Sequence, residues 1–599
     1  MAVLFLKCNR RLKNGKEHRY WSIVENRRCA RGRTVQRPVL YLGEINDTQR
    51  ADWIRCIEVF DEDARQQSKL ALFAQQRSAP PAWAGSVEVR LDQFELRRPR
   101  QWGACWLFGE LWRQLALDGF WHERLGYSRE GTHWEHVLQT LVCYRLLDPG
   151  SEWRLHRHWF EHSALGDLLG EDSALAAKDT LYRCLDKLLA HKTALFGFLR
   201  QRWQDLFGAR FDVLLYDLTS MYFESDPPFG ENDKRRFGYS RDHRPDCVQV
   251  VIALVMTTDG FPIAYEVLAG NTADNTTLRG FLAKIEAQYG KAERIWVMDR
   301  GIPTEAVLAA MRASQPPVHY LVGTPKARLS KLEAQLATLP WQSARPGVEV
   351  KLLHEGEELY VFAQSRDRVC KERAMRHRAL KKLWQRLRDL GSQRLTRDSL
   401  LLKLGAARNQ WPAAWRLIEL QLPSEGQPVS AETFGFALRK DKLREARRRE
   451  GRYLLRSNLR GRDPAQLWQF YLQLVEIEAA FKTLKTDLAI RPIFHQLEAR
   501  IEAHIFVAFL AYCVQVTLKH KLRAKAPGLT PRAVLEKLAT IQMIDAHFPT
   551  TDGRWLLFAR YTLPEKDHKL LLAQLGLTLP AQLPPRITSR GHLQEPAPL

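Results

Sequence analysis

The feature that most constrains the fold of this chain is a change of hydrophobic period near residue 208. From residue 103 to residue 207, Leu, Trp, Phe and Ile recur every three or four residues, which is typical of amphipathic helices. Beyond that point short apolar runs replace the helical spacing. Their order over residues 211–322 is strand, hairpin, helix, strand, helix, strand, which predicts an α/β domain with a mixed sheet.

Turn and capping residues separate these runs. Thr258-Asp259-Gly260 suits the turn of a hairpin, and Asp274 or Asn275 suits a helix N-cap. We expect strands at Phe211–Tyr216, Val248–Met256, Pro262–Leu268, Arg294–Met298 and Val318–Val322, and helices at Asp274–Tyr289 and from Pro303 through Met311.

The rest of the chain predicts further domains, because 599 residues exceed what one hydrophobic core supports. Strand-like runs at Tyr20–Val24 and Val39–Leu42, with a turn at Asn14-Gly15, predict a small β-meander, followed by a charged helix over 48–75. Ser78–Gly85 is a predicted linker. The predicted domains are a meander plus helix (1–77), a helical domain (86–207), an α/β core in two parts (208–325 and 451–525), an insertion (326–450) and a C-terminal helical region with a polar tail (526–599).

The predicted insertion begins with short strands and continues with very basic helices. The strands are expected at Val348–Leu353 and Glu358–Phe362, and the basic segments are Arg366–Leu390 and Arg439–Arg452. After it we expect a strand at Arg452–Ser457, long helices at Asp463–Leu488 and Gln496–Arg523, and a poorly ordered tail from Pro580.

The net charge is +23 and the isoelectric point is about 9.7, which favours a polyanionic partner, either nucleic acid or a membrane surface. The apolar run at the start is too short for a signal peptide. The most apolar helix candidate, Ile505–Val514, is shorter than the roughly 20 residues that span a bilayer, so we expect a buried core helix. The 9 cysteines form no Cys-x-x-Cys pair, so neither a zinc knuckle nor a disulfide framework is indicated, and we expect a soluble, reduced, cytoplasmic protein.

Two acidic residues, Asp217 and Asp299, each follow a short apolar strand. Open α/β sheets build their sites at the carboxyl ends of strands, so the two carboxylates meet if the strands are parallel neighbours. Carboxylate oxygens are ligands for Mg²⁺. The alternative is that each Asp merely caps a turn.

A third carboxylate is expected from the helix over Asp463–Leu488. Tyr471, Glu478 and Lys485 are spaced seven residues apart and form one stripe, whereas Glu476 lies on the opposite side. One face therefore presents a phenol, a carboxylate and an ammonium group. The alternative is a surface helix with solvated charges.

These residues resemble the DDE transposases of bacterial insertion sequences, in particular the superfamily typified by insertion sequence four. Its signature, Tyr-x-x-Arg-x-x-x-Glu-x-x-x-x-x-x-Lys, is matched by Tyr471, Glu478 and Lys485, but Leu474 stands in the Arg position. Similar family blocks are Asp217-Leu-Thr219, Gly238 to Gln249, Gly270 to Asp274, Asp299-Arg-Gly301, and Arg491 to His504. The resemblance covers roughly residues 205–325 and 450–520.

The resemblance implies a ribonuclease H-like catalytic core, interrupted by a β-rich insertion and preceded by a helical region that reads terminal inverted repeats. It also implies a DDE-type polynucleotidyl transferase in which Asp217, Asp299 and Glu478 hold two Mg²⁺ ions (Mn²⁺ can substitute). The expected partners are double-stranded DNA, at the element ends and at the target, and a second copy in a homodimer, in the nucleoid-containing cytoplasm of a bacterium and not at a membrane. Tyr471 and Lys485 would contact DNA, and Lys482 or Arg491 would replace the missing Arg.

Two other functions stay open at this point. A structure-specific nuclease of the same fold would cut DNA without joining it, and a non-catalytic DNA-binding protein would bind ends without metal-dependent turnover. The two basic segments of the insertion are either DNA backbone contacts or solvated helix faces. Its tryptophans either stack on an unpaired base or, by the favoured interpretation, pack in a core; they are Trp341, Trp384, Trp411 and Trp415.

Overall fold

The fold is described from a computed structural model. It covers residues 4–589 apart from 14–15, 29–33, 45–56, 62–65, 72–83, 126–127, 129, 225–229, 231–232, 291–292, 325–331, 333–334, 337, 431 and 460. The chain forms two compact units, Met1–Lys187 with Val514–Leu599, and Leu188–Cys513.

Strands and helices are numbered in chain order. The strands are β1 (Leu4–Lys13), β2 (Lys16–Arg28), β3 (Thr34–Glu44), β4 (Ile57–Asp61), β5 (Gln66–Ala71), β6 (Ala84–Ser86), β7 (Glu95–Gln101), β8 (Val213–Tyr222), β9 (Gln249–Thr257), β10 (Pro262–Ala269), β11 (Ile295–Met298), β12 (His319–Gly323), β13 (Gln342–Arg345), β14 (Val348–Glu355), β15 (Glu358–Ser365), β16 (Ile418–Gln421), β17 (Gly435–Leu438), β18 (Arg452–Ser457), β19 (Gln542–Pro549), β20 (Trp555–Tyr561) and β21 (Arg586–Thr588).

Among the described residues, the helices of at least eight residues are α1 (Gly103–Gln114), α2 (Leu117–Leu125), α3 (Trp134–Leu147), α4 (Lys178–Leu188), α5 (Lys192–Phe207), α6 (Asp274–Tyr289), α7 (Glu305–Ala313), α8 (Arg366–Ser392), α9 (Arg397–Gln410), α10 (Lys440–Arg449), α11 (Pro464–Leu472), α12 (Leu474–Lys485), α13 (Glu498–Lys525), α14 (Pro531–Leu538) and α15 (Lys566–Leu575). Shorter turns lie at Leu91–Gln93, Glu152–Arg154, Leu155–Trp159, Phe160–His162, Leu165–Leu169, Ser173–Ala176, Leu189–His191 and Pro412–Trp415.

The first unit contains the predicted N-terminal meander, β1 to β3, which is paired antiparallel in chain order. The predicted turn at 14–15 lies outside the described residues. The predicted helix over 48–75 is wrong where the structure describes it, because β4 and β5 form an antiparallel pair there. Strand β4 also pairs in parallel with β21 from the C-terminal tail. Pairing between opposite ends of the chain thus overrides the local helical preference.

A seven-stranded sheet in this unit has the order β6-β5-β4-β21-β20-β19-β7. The end of the predicted linker forms β6 of this sheet. Part of the tail, which we expected to be poorly ordered, forms β21. Residues 78–83 and 590–599 lie outside the described residues. The predicted helices after residue 103 are present as α1 to α4 in this unit, and α1 buries Trp106, Phe108 and Trp112. Those large side chains explain the helical spacing of the sequence.

The second unit is built on a nine-stranded mixed sheet with the order β10-β9-β8-β11-β12-β18-β15-β14-β13. Strands β8, β9 and β10 pair antiparallel, whereas β8, β11 and β12 pair parallel. Each of the predicted apolar runs is one of these strands, which confirms the mixed sheet. The face under α6 buries aromatic and aliphatic side chains from both groups of strands, including Tyr216, Val255, Trp296 and Tyr320, against Phe281 of that helix.

Helix α6 has the predicted bounds, but its N-cap is Ala273 and no side chain caps it. Helix α7 begins after Pro303, because the side chain of Thr304 accepts a hydrogen bond from the backbone N–H of Val307 and forms the cap. The Asp274 carboxylate that we expected at the first cap instead forms an ion pair with Arg241.

The predicted insertion contributes to the central sheet as well as forming a separate cluster. Strands β13, β14 and β15 continue the sheet beyond β18. Helices α8 and α9, with the β16–β17 hairpin, have a hydrophobic cluster of their own around Leu383, Leu387 and Phe434. The side chains of Trp384, Trp411 and Trp415 pack against this cluster, which favours the interpretation of core packing for these three.

Helix α13 is the one described helix that is long and apolar enough to cross a membrane by composition, and 94% of its most apolar window is buried inside the structure. Burial on that scale is what a core helix of a folded domain shows, as we expected for Ile505–Val514.

Candidate active site

The two aspartates are brought together by the register of parallel strands. Strand β11 pairs with β8 so that Met298 lies opposite Tyr216, and the next residues on the two strands are Asp299 and Asp217. We predicted that β8 ends before Asp217. It instead continues to Tyr222, because its second half still pairs with β9 on the other side. Asp217 therefore lies in the middle of a strand. The parallel pairing with β11 ends just before it, whereas the antiparallel pairing with β9 continues past it.

The third acid comes from α12. The predicted helix Asp463–Leu488 is in fact two helices, since the hydrogen bonding changes at Gln473. There the N–H of Gln473 donates to the carbonyl of Phe470 (3.1 Å), and the N–H of Glu476 donates to the carbonyl of Gln473 (2.8 Å), which is tighter than the α-helical pattern. Tyr471 ends up on α11, while Glu478 and Lys485 stay on α12.

One cavity of about 350 Å³ is lined by Asp217, Asp299 and Glu478 together. Asp274 and Arg241 line it as well; we expected Asp274 only as a helix cap and did not predict Arg241 as a site residue. Both lie in the segments that resembled family blocks, so the signal was present in the sequence. What the sequence does not show is that these two segments meet over the carboxylates.

Backbone N–H groups orient the two aspartates. The N–H of Leu218 donates to Asp217 Oδ1 at 2.8 Å, and the N–H of Arg300 donates to Asp299 Oδ1 at 2.7 Å. Each carboxylate is thus held through one oxygen and keeps acceptor capacity for a ligand in the cavity.

Burial, together with the nearby carboxylates of Asp299 and Asp274, raises the pKa of Asp217 to about 7, against the opposing effects of the Leu218 N–H and the Arg241 guanidinium. Burial and the neighbouring carboxylates both disfavour the ionised form of Asp217. A cation bound in the cavity would stabilise that form.

Arg241 partly offsets this charge and is itself fixed. Its guanidinium lies 2.5 and 2.6 Å from the two oxygens of Asp274, and its backbone N–H donates to Ser220 Oγ at 3.2 Å. The segment that carries Arg241 is also fixed by the Gln249 side chain, which donates to the carbonyls of Tyr239 (3.1 Å) and Gly270 (2.9 Å). This segment therefore presents Arg241 at a defined place on the cavity wall.

Lys485 and Arg491, which we predicted as DNA contacts, share one partner. Lys485 Nζ lies 2.8 Å from Asp242 Oδ1, and the Arg491 guanidinium pairs with the other oxygen of Asp242. The Asp242 side chain is only 6% exposed. Burial lowers the pKa of Lys485, and the Asp242 carboxylate works against that shift. The structure thus places these two cations beside each other, although they come from different segments.

The other predicted contacts are more scattered. The ring of Tyr471 packs with those of Tyr453 and Trp468 in a cluster of three, at centroid distances of 6.2 and 6.1 Å. Burial raises the pKa of its phenol, and the negative charge of Asp299 adds to the shift. Lys482 is exposed on α12, and Leu474 is the first residue of that helix.

The family model for the transposase DDE domain matches residues 208–514, just over half of the 599 residues. The chain belongs to the DDE transposases. The N-terminal domain model of the IS1634 family of transposases matches residues 6–71 of this transposase, which is the region of the meander. No curated protein matches the transposase in sequence.

Among solved structures, the transposase is similar to a cryo-electron microscopy structure titled as a piggyBac transposase synaptic complex with hairpin DNA, with 9% identity and a TM-score of 0.33 over 72% of this chain and 76% of that one. The family identifies an enzyme of the polynucleotidyl transferase type that acts on DNA and uses divalent metal ions. The finer assignment to the superfamily of insertion sequence four stays a prediction.

Proposed function

We propose that the transposase binds the terminal inverted repeats of its element and cuts and joins DNA in a reaction that depends on Mg²⁺ held by Asp217, Asp299 and Glu478. The observation that carries this proposal is the convergence of the three acidic side chains on one cavity. The described residues that line it offer carboxylate and hydroxyl oxygens but no imidazole or thiol. Such a donor set suits Mg²⁺, and Mn²⁺ as a substitute, better than zinc.

The carboxylates of Asp217, Asp299 and Glu478, which line one cavity, could hold a pair of ions. Two Mg²⁺ ions bound there would supply activation of the attacking oxygen and stabilisation of the leaving oxygen.

The chemistry needs no nucleophile from the protein. Attack of water on a phosphodiester at the element end forms one P–O bond and breaks another, and it leaves a free 3′-hydroxyl. Attack of that hydroxyl on a target phosphodiester repeats the exchange and joins the strands. In both steps Asp217 and Asp299 keep their positions through the backbone N–H groups of Leu218 and Arg300.

DNA is held, in this proposal, by cations near the cavity. Lys485 and Arg491 are pre-positioned side by side by Asp242, and the exposed ammonium of Lys482 lies on the same helix as Glu478. Tyr471, whose phenol is close enough to Asp299 to be affected by its charge, would contact DNA beside the cavity. The basic helices α8 and α10 would add further contacts with the phosphate backbone of DNA, which predicts that DNA binding depends strongly on salt concentration. Two copies of the chain would pair the two element ends.

The test is a cleavage and joining assay with the full-length transposase, Mg²⁺ and a duplex taken from the DNA that flanks its gene. Glu478→Gln should abolish cleavage and leave binding of the duplex unchanged. Glu476→Gln is the matched control on the same helix and should cleave like the wild type. Asp299→Asn should behave like Glu478→Gln.

Each other outcome has a definite meaning. Wild-type cleavage by Glu478→Gln contradicts the assignment of the third acid. Hydrolysis without a joined product identifies a structure-specific nuclease, and binding without metal-dependent turnover identifies a non-catalytic DNA-binding protein. Light scattering of the complex with end DNA should give the mass of two chains, and a mass of one chain contradicts the dimer.

A further inference from the structure

A second cluster of metal-ligand residues lies in the first unit, and neither the family nor the proposed reaction accounts for it. Its members are His133, His136 and Glu171. His133 is the N-cap residue of α3 but makes no capping hydrogen bond with its side chain, and His136 lies in the first turn of that helix. Glu171 follows Gly170, a residue with a φ of 71° that ends the turn Leu165–Leu169.

The three side chains converge on one point. His133 Nδ1 lies 2.5 Å from Glu171 Oε1, and His136 Nδ1 lies 2.6 Å from the same oxygen. The two imidazole rings are 5.3 Å apart and meet at an angle of 68°, so both direct a nitrogen to the carboxylate without stacking. All three ligand atoms lie within 4.8 Å of one another.

An ion can reach this point from solvent. The exposed fractions of the side chains are 39% for His133, 29% for His136 and 18% for Glu171. His133 and Glu171 also line a cavity of about 960 Å³ in the same unit, whose wall includes the carboxylates of Glu161 and Asp172. The cavity leaves room for water as a fourth ligand, and its acidic wall favours a cation.

We propose that His133, His136 and Glu171 bind a transition-metal ion of the zinc class through two imidazole nitrogens and one carboxylate oxygen. Imidazole favours Zn²⁺, Co²⁺ and Ni²⁺ over Mg²⁺, and three protein ligands with one water complete a tetrahedron. Bonds of about 2.0–2.1 Å place tetrahedral ligand atoms about 3.3 Å apart. The two His–Glu separations, now 2.5 and 2.6 Å, therefore widen by less than about 1 Å. Side chains this exposed can make that adjustment by small rotations.

The ion fixes the start of α3 to the segment around Glu171, which lies 38 residues from His133 in the chain. The transposase would then carry two chemically different metal sites, one built from oxygen donors for Mg²⁺ and one that contains imidazole. The sequence does not display the second site, because a His-x-x-His pair with a remote Glu has no signature comparable to that of paired cysteines.

The test uses the full chain stripped of metal with EDTA, and measures Zn²⁺ by isothermal titration and Co²⁺ by its visible absorption. The wild type should bind one equivalent that millimolar Mg²⁺ does not displace, with the absorption of tetrahedral Co²⁺. His136→Ala and Glu171→Gln should each weaken Zn²⁺ binding by roughly 100-fold or more. Changing a residue that only hydrogen-bonds to a metal ligand already weakens binding by about 10- to 100-fold. His162→Ala removes an exposed histidine of the same unit and should bind like the wild type.

Glu171→Gln keeps the shape and one acceptor of the side chain, so it decides the matter if His136→Ala does not fold. Asp299→Asn should bind Zn²⁺ unchanged, which separates this site from the active site. Absence of Zn²⁺ binding by the wild type, or equal binding by the wild type and Glu171→Gln, overturns the proposal and leaves a hydrogen-bonded cluster only.

Discussion

Replacement of Asp217 by asparagine should make the metal-free transposase more stable while abolishing its activity. The carboxylate is partly buried among other acids, and its pKa is raised from 3.8 to about 7. The folded chain thus holds this proton more tightly than the unfolded chain does. An amide is neutral, has nearly the same shape, and can still accept the hydrogen bond from Leu218.

The size of the effect follows from the pKa difference. A raised carboxyl pKa makes its contribution most favourable at low pH, and the stability is lost as the pH rises through 4 to 7, because the unfolded state has already released the proton. At pH 8 the shift from 3.8 to about 7 corresponds to roughly 4 kcal/mol, at about 1.4 kcal/mol per pKa unit. Water screens the exposed part of the side chain, so we expect a gain of about 1–3 kcal/mol.

The assay is urea unfolding of the full chain in EDTA at pH 8 and at pH 5. The gain of Asp217→Asn should shrink to less than half at pH 5. Asp212→Asn, at an exposed position just before β8, is the control and should change stability little at either pH. With Mg²⁺ the order should reverse, since ligand at 100 times its Kd stabilises the wild type by about 2.7 kcal/mol and the variant lacks one ligand.

The reasoning is refuted if Asp217→Asn is no more stable than the wild type at pH 8, or if its gain is the same at both pH values. The first result would mean that the carboxylate is well solvated. The second would mean that the gain does not come from charge.

Three other substitutions, two of them with a matched control, test the surroundings of the site and the insertion by the same unfolding assay, and one of them also by the cleavage assay. Asp242→Asn removes the buried partner of two cations and should cost about 3 kcal/mol, whereas Asp246→Asn, in an exposed pair on the same loop, should change the free energy of unfolding little. Gly270→Ala places a methyl group against backbone oxygens, so it should lower the free energy of unfolding by about 1–3 kcal/mol and reduce cleavage activity. Gly280→Ala, in open space on α6, should raise the free energy of unfolding by up to about 1 kcal/mol. Leu387→Ala in the fully buried core of the insertion should lower the free energy of unfolding by about 2–5 kcal/mol. The packing described above is contradicted if a variant and its matched control are equally stable, or if Leu387→Ala is as stable as the wild type.

The sequence by itself determined the elements that local patterns specify. The helix Asp274–Tyr289 and the strand Arg452–Ser457 have the bounds that periodicity predicted. The stripe through Glu478 also selected the acid that lines the cavity over its neighbour Glu476. Hydrophobic period and helical spacing are properties of a few adjacent residues, so a sequence displays them directly.

Only the tertiary structure decided what depends on residues far apart in the chain. Strand β8 passes through Asp217 because β9 pairs with it, and β4 is a strand because the tail supplies β21 beside it. Arg241 meets Asp274, and His133 meets Glu171, through loops whose approach no local pattern specifies. Such contacts are fixed by the packing of whole elements, and their free energy appears only once both partners are in place.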